Sequence, residues 1–294
     1  MQLVLKILAA LFITVVVALV IYLLPAHLEV RDNQTALPSL SNIKQVASSD
    51  DLPIQVSYIL TSSQSIPGGT TGHHSIVIEW QDGRSFLIDT GMDAGAAIEF
   101  GSLLETMWGA DPVAVKTTTQ EALANKQRQA SGVGLTHLHI DHSQGLEALC
   151  AALTNLMLFQ TAVQHNVHNM HTTEGAELAA NCRTTEIGGD VLTPVPGFTG
   201  LAMYNLGGHT PGSTLFVVST LDETYLFSGD TTNSKADIDN NTPKPWWYSY
   251  LIVPEDTNRT AQLREWLKEI DTQQGYTVVV SHDVDKTAEQ LPEF

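Results

Sequence analysis

Apolar positions are distributed unevenly along the chain, and the first block is the simplest. Residues 7–24 read ILAALFITVVVALVIYLL, without a charge and without a polar stripe. A helix on the surface of a soluble core shows such a stripe at a period of 3.6 residues. At about 1.5 Å per residue the run just spans a hydrocarbon layer, and residues 1–5 lengthen it. The pattern therefore predicts one N-terminal transmembrane helix or signal sequence over residues 1–24. A signal peptide's apolar region is usually about 7–15 residues, followed by small residues at the cleavage point. Leu24 stands where a small residue is wanted, which favours an uncleaved anchor. Lys6 and the terminal amine on the short side orient the amino end to the cytoplasm and the rest outside it. In a Gram-negative cell that places the remainder in the periplasm, anchored to the inner membrane or secreted into it.

Residues 25–51 are polar and mixed, with Asn33-Gln34, Pro38-Ser39 and Ser48-Ser49-Asp50-Asp51, and read as a spacer. From Leu52 the pattern alternates between periods of two and of about 3.6. Strands are expected at 54–60, 75–80 and 85–89, the last two joined by a hairpin turn at Gln81-Asp82-Gly83-Arg84. Helices follow at 93–108 and 119–130, then a short buried strand at 134–137 and a helix at 144–153. Later strands are expected at 191–195, 201–205, 214–218, 224–227 and 276–281, with a helix at 259–270 before the last. Strands in both halves with helices between them imply sheets covered by helices, a layered α/β domain over 52–294.

Composition narrows the partners. The chain of 294 residues has 32 acidic against 14 basic side chains, a formal charge of −18. Such a balance repels polyanions and argues against nucleic acid as a partner. A hydrophobic share of 43% excludes a disordered chain. Two cysteines, Cys150 and Cys182, exclude a disulfide scaffold but permit one bridge in an oxidising compartment.

The chemistry concentrates in Thr136-His137-Leu138-His139-Ile140-Asp141-His142-Ser143, between an expected strand and an expected helix. His137 and His139 alternate along extended chain, so both rings point one way. Asp141 and His142 sit at the turn, free to face a neighbouring site. Imidazole and carboxylate suit zinc and other first-row ions.

This string resembles the His-x-His-x-Asp-His motif of the metallo-β-lactamase superfamily. Further elements of that family recur in order: Ile88-Asp89-Thr90-Gly91, Gly208-His209-Thr210-Pro211-Gly212-Ser213, Phe227-Ser228-Gly229-Asp230 and Val280-Ser281-His282-Asp283. The resemblance covers Leu52 to Asp283 and implies a four-layered αββα sandwich. It also implies two divalent ions, zinc foremost and manganese or iron as alternatives. One would be held by His137, His139 and His209. The other would be held by Asp141, His142 and His282, with Asp230 bridging. Asp89 is expected to orient a ligand imidazole. The implied activity is a binuclear hydrolase whose metal-bound hydroxide cleaves an ester, lactone, thioester or amide of a small molecule. Asp141 would also steer or take a proton.

The superfamily serves many chemistries. Twelve residues follow His282, leaving no room for the flavodoxin domain of the electron-transferring branch. The 51 residues between Asp230 and His282 are too few for the inserted domain of the nucleic-acid-processing branch. Residues 207–213 resemble a subclass of true β-lactamases that lacks an aspartate at the Asp230 position. Quorum-signal lactonases share the full ligand set but carry tyrosine where Asn233 stands. Thioesterases of the glyoxalase II kind add a helical C-terminal domain that is missing here. β-Lactamase-like or small phosphodiesterase activity, and a membrane-tethered metal-binding or sensing protein, stay open as alternatives.

Trp246, Trp247, Tyr248 and Tyr250 form either a pocket wall beside the site or part of the core. His165, His168 and His171, spaced by three, are read as surface or rim histidines rather than an extra metal site. His73-His74 opens a strand and receives no functional reading.

Overall fold

The computed structural model describes residues 2–31 and 35–294, so Asn33 and Gln34 of the expected spacer lie outside the described residues. The apolar run falls inside α1 (Gln2–Arg31), which continues past Pro25 for six residues. Its surface is exposed except near its C-terminal end, where Leu23, Ala26 and Val30 are buried on one helix face and His27 and Glu29 are half-buried. The region expected as a spacer is folded along most of its described length. Ser39 caps α2 (Leu40–Val46) in a reciprocal capping box with Asn42. Ile43 of α2 is fully buried. Tyr204 donates to Thr35 at 2.5 Å, Arg259 to the Thr35 carbonyl at 3.0 Å and Trp266 to the Pro38 carbonyl at 3.2 Å. The polar composition of 35–46 concealed this packing, because single apolar residues and backbone acceptors make it.

The chain then forms β1 (Gln55–Ile66), β2 (Gly69–Glu79), β3 (Ser85–Ile88), α3 (Ala94–Trp108), β4 (Ala114–Val115), α4 (Thr119–Asn125) and β5 (Gly132–Gly134). Next come α5 (Ile140–Ser143), α6 (Leu146–Ala152), β6 (Met157–Thr161), α7 (Ala162–Asn166), α8 (Thr173–Ala179) and β7 (Thr184–Ile187). The second half holds β8 (Thr193–Pro194), β9 (Leu201–Asn205), β10 (Thr214–Ser219), β11 (Thr224–Phe227) and α9 (Lys235–Asn240). A π-helical turn (Tyr248–Ile252), α10 (Thr257–Asp271), β12 (Tyr276–Val279) and α11 (Val284–Gln290) complete it.

Seven strands form one sheet in the order β4-β1-β2-β3-β5-β6-β7, and five form the other in the order β12-β11-β10-β9-β8. Side chains of successive strand residues point to opposite faces, and this period sorts the core into three layers. Val56, Ile76, Phe86, Met203, Phe216, Phe227 and Val279 meet between the two sheets. Their neighbours Val77, Leu87 and Val133 turn outward to pack on α4, α6 and α8. Tyr204, Leu215, Val217 and Val278 turn the other way, under α2, α9 and α10. Three apolar interfaces between four layers make the expected αββα sandwich.

Departures from the sequence reading have local causes. The strand expected at 134–137 ends at Gly134, because the next backbone groups bond elsewhere. Thr136 N–H donates to the Asp89 carboxylate at 2.7 Å, and Gln164 donates to the Leu135 carbonyl at 2.8 Å. The helix expected over 119–130 stops at Asn125, just before Gln127 turns to a φ of 55°. Cys150 and Cys182 are joined in a disulfide with a Cα–Cα distance of 5.5 Å.

Candidate metal centre

All the ligand-type side chains project from one edge of the sandwich. His137, His139, Asp141 and His142 follow β5, His209 sits in the β9–β10 connection, Asp230 follows β11, and His282 follows β12. Asp89 follows β3 and takes a φ of 59°, left-handed backbone that aspartate tolerates better than most residues. That turn aims its carboxylate back at the cluster. Gly175 of α8 lies against the motif so closely that a Cβ there would stand 2.1 Å from the Leu138 carbonyl oxygen.

The seven expected ligands converge. His137, His139 and His209 have potential donor atoms within 4.8 Å of one another, as do His142, Asp230 and His282. His209 Nε2 lies 3.2 Å from His139 Nδ1. Asp141 Oδ2 lies 3.5 Å from His142 Nε2 and 3.6 Å from His282 Nε2. Asp230 contacts both halves, with Oδ1 at 3.3 Å from His142 Nε2 and Oδ2 at 3.7 Å from His209 Nε2. All seven are buried except His139, which opens on a cavity. His137 Nε2, His142 Nε2 and Asp230 Oδ1 are buried without a hydrogen bond. Buried polar atoms are rarely left so. Inward-facing lone pairs on imidazoles and carboxylates are the donor set a divalent ion takes.

The far sides of three of the rings are held. His142 Nδ1 donates to Asp89 Oδ2 at 2.8 Å, in keeping with the orienting role expected of Asp89. His282 Nδ1 donates to the Gly72 carbonyl at 2.8 Å, and His209 Nδ1 to Glu255 Oε1 at 2.5 Å. Such bonds fix the tautomer so that Nε2 carries the lone pair. Glu255 also accepts from Ser249 at 2.5 Å and from Lys244 Nζ at 3.0 Å. Lys244 Nζ reaches the Asp230 carbonyl oxygen at 3.0 Å.

Charge follows from these contacts. Burial pushes His137 and His139 well below the ordinary histidine range, and neighbouring imidazoles add to it. Burial also lowers His209, helped by the Lys244 ammonium. Burial acts the same way on His142 and His282, but adjacent carboxylates outweigh it and hold both up. Burial opposes ionisation of Asp141 and Asp230, yet the surrounding imidazoles keep both below the usual carboxylate range. Burial likewise works against Glu255, and Lys244 with His209 overcomes it, bringing the carboxyl to about 2. Metal binding displaces protons from the imidazoles and needs ionised carboxylates.

The cluster forms the floor of a cavity of about 410 Å³. Phe100, Leu103, Leu104 and Trp108 of α3 wall one side, and Tyr248 and Ile252 the other. Trp247 packs against Trp108 with ring centroids 5.5 Å apart. Of the aromatic segment, Tyr248 lines the cavity, while Trp246 is 68% exposed. Asn233 and His171 also line the cavity. α7 ends at Asn166, so His165, His168 and His171 share no helical face, and none joins a metal-type cluster among the described residues.

Three residues were missed from the sequence. Lys244 and Glu255 carried no local signal, since their partners are distant in the chain. His73, dismissed as a strand opener, is buried against Asp141 and His282.

Comparison with known proteins places this geometry. The family profile described as the metallo-beta-lactamase superfamily matches residues 68–282. Among solved structures, an N-acyl homoserine lactone hydrolase with N-hexanoyl-L-homoserine bound at its catalytic metal centre is similar at 17% identity. The match has a TM-score of 0.62 and covers 83% of this chain and 98% of that one. A probable metal-dependent hydrolase from Staphylococcus aureus is similar at 18% identity and TM-score 0.57, over 80% of this chain and 91% of that one. AidC, a dizinc quorum-quenching lactonase, is similar at 17% identity and TM-score 0.50, over 73% and 74%. No curated protein matches the chain. At these identities the structural likenesses fix the fold alone.

Proposed function

We propose, for a chain that belongs to the metallo-β-lactamase superfamily, that it hydrolyses a lactone or ester of a small molecule bearing an apolar chain, at a two-metal centre. The observation that carries this reading is the set of buried, inward-facing donor atoms at the floor of an apolar-walled cavity. His137, His139 and His209 would hold one ion, Asp141, His142 and His282 the other, with Asp230 between them. Zinc is the ion we propose, in line with the dizinc relative. Two such ions, when bound, polarise a carbonyl and make water acidic enough to ionise near neutral pH.

The chain's own groups supply the rest. Asp141 lines the cavity floor, where it can orient an attacking water and take its proton. Lys244 lines the same cavity with its ammonium held between Glu255 and the Asp230 carbonyl, a fixed positive charge for the negative charge that develops on the substrate. Burial, with Glu255 and the two site aspartates, keeps the Tyr248 phenol protonated against the pull of Lys244, so its O–H is a donor. A phenol is therefore present in the cavity although Asn233 occupies the lactonase tyrosine position. Phe100, Leu104 and Trp108 exclude water and accept an acyl chain.

The test uses the purified full chain in detergent with two equivalents of zinc. Acyl-homoserine lactones from butanoyl to dodecanoyl, nitrophenyl esters, nitrocefin and bis-nitrophenyl phosphate are compared. Turnover of lactone or ester that improves with chain length, and is lost in Asp230→Ala, is expected. Turnover confined to nitrocefin or the phosphodiester would overturn the substrate class.

We also propose that α1 anchors the chain in the inner membrane with the catalytic domain in the periplasm. An almost wholly exposed apolar helix needs lipid around it, and a Cys150–Cys182 bridge suits an oxidising compartment. Protease added to spheroplasts should digest the domain; full protection would place it inside.

A further inference from the structure

His73 lies outside the seven-residue set, on β2. It is 4% exposed, and its Nδ1 is buried without a hydrogen bond. That atom faces Asp141 Oδ2 at 3.4 Å, longer than the usual N–H···O bond of about 2.7–3.2 Å. The separation matches a different pattern. Asp141 Oδ2 stands 3.5 Å from His142 Nε2 and 3.6 Å from His282 Nε2, and Asp230 Oδ2 stands 3.0 Å from His282 Nε2. Donors about 2.1 Å from a common ion are separated by about 3.4 Å in a tetrahedron and about 3.0 Å in an octahedron. His73, Asp141 and His282 also meet the mutual distance of 4.8 Å that marks the other ligand groups. The ring is held edge-on by Phe100 at 5.3 Å and His282 at 5.2 Å between centroids, which fixes its direction.

The geometry points to His73 as a further ligand of the second metal ion, an inference that rests on the two-ion reading above. With Asp141, His142, His282 and Asp230, that ion then has five protein donors. The first ion has three imidazoles and the shared aspartate. Five available donors exceed the four that zinc prefers, a surplus that manganese and iron accept more readily. The two sites thus differ in metal preference: the first selects zinc, and the second also takes manganese or iron.

Two measurements test this on the full chain. Crystals grown with zinc and manganese, with diffraction recorded on both sides of each absorption edge, should place an ion about 2.0–2.2 Å from His73 Nδ1. An ion beyond about 3 Å from that atom overturns the assignment. In solution, chelator competition on wild type, His73→Ala and His73→Gln should show one ion weakened at least about tenfold and the other unchanged. Glutamine matches the volume and keeps a hydrogen-bonding group, so it guards against a collapsed fold, with circular dichroism as the check. It also separates roles: if His73 only braced Asp141, glutamine would restore affinity, and that rescue overturns the ligand role. Unchanged affinity in both variants does the same. Wild type binding fewer than two ions overturns this inference and the two-ion reading together. Two ions with His73 remote overturn this inference alone.

Discussion

Removing the Glu255 carboxylate by Glu255→Gln should destabilise the domain far more than a surface change. Glu255 is 2% exposed and Lys244 is 8% exposed, at 3.0 Å from each other. Glutamine keeps one acceptor oxygen, so it can accept from His209 or from Ser249 but turns an N–H toward the other, and it leaves the Lys244 charge buried beside a single carbonyl. Breaking a buried pair on one side costs about 3–5 kcal/mol. Proton linkage gives a second route to the magnitude. A carboxyl held at about 2 instead of its ordinary 4.5 contributes roughly 3 kcal/mol at neutral pH. Both figures describe one interaction and are not added. Because the folded value is depressed, the contribution is complete above 4.5 and is lost as pH falls from 4.5 towards 2. For a domain of this size the shift in Tm is about 6–20 °C. Scanning calorimetry of the full chain in detergent, with zinc and again with chelator, reads it. The gap between wild type and variant should close as pH is lowered through that window. Lys244→Met in the Glu255→Gln background should recover part of the loss. A Tm drop below about 3 °C in both conditions, or a gap that does not narrow with acid, would refute the reasoning.

Asp89→Asn should weaken one of the two ions by about 10–100-fold, since an amide cannot accept from both Thr136 and the His142 N–H without turning an N–H toward one of them; calorimetric titration with unchanged affinity for both would count against it. Gly175→Ala places a methyl 2.1 Å from the Leu138 carbonyl and 2.8 Å from Ser143 Oγ, and should cost at least about 1–3 kcal/mol in urea unfolding. An unmoved midpoint would mean that α8 does not pack so closely. The disulfide closes a separation of 32 residues, so the Cys150→Ala, Cys182→Ala double variant should lose roughly 3–4 kcal/mol. Equal stability of the double variant and wild type would show that the bridge does not form.

The centre was legible where its residues are neighbours in sequence or mark the end of a strand. Four ligands lie within His137 to His142, and His209, Asp230 and His282 each stand in a short connection that Gly or Ser residues betray. His73 was not legible because its place depends on register. Gly72 N–H bonds the His282 carbonyl at 3.2 Å, and this cross-chain pairing carries His73 to the site. Glu255 lies 46 residues from the imidazole it orients, and a lone Glu-Asp pair before a helix reads as a cap. In the fold, β7 was missed because it is the edge of its sheet, and its Thr-Thr-Glu-Ile sequence has only Ile187 buried. No alternation survives there to be read. The packing of 35–46 was hidden for a related reason: its contacts are made largely by backbone carbonyls, which every sequence has.

Only three residues separate Arg31, the last of α1, from Thr35, where the domain takes hold of the chain. Four backbone steps reach about 14 Å at most. His27 near the end of α1 also meets the Tyr250 carbonyl at 3.1 Å, within the π-helical turn that walls the cavity. So short a lead, with that contact, keeps the domain close to the end of α1. With α1 in a bilayer, as proposed above, the domain would sit within a short reach of the lipid surface. With substrate partitioned into that lipid, a short lead of this kind would keep the cavity where such molecules are concentrated.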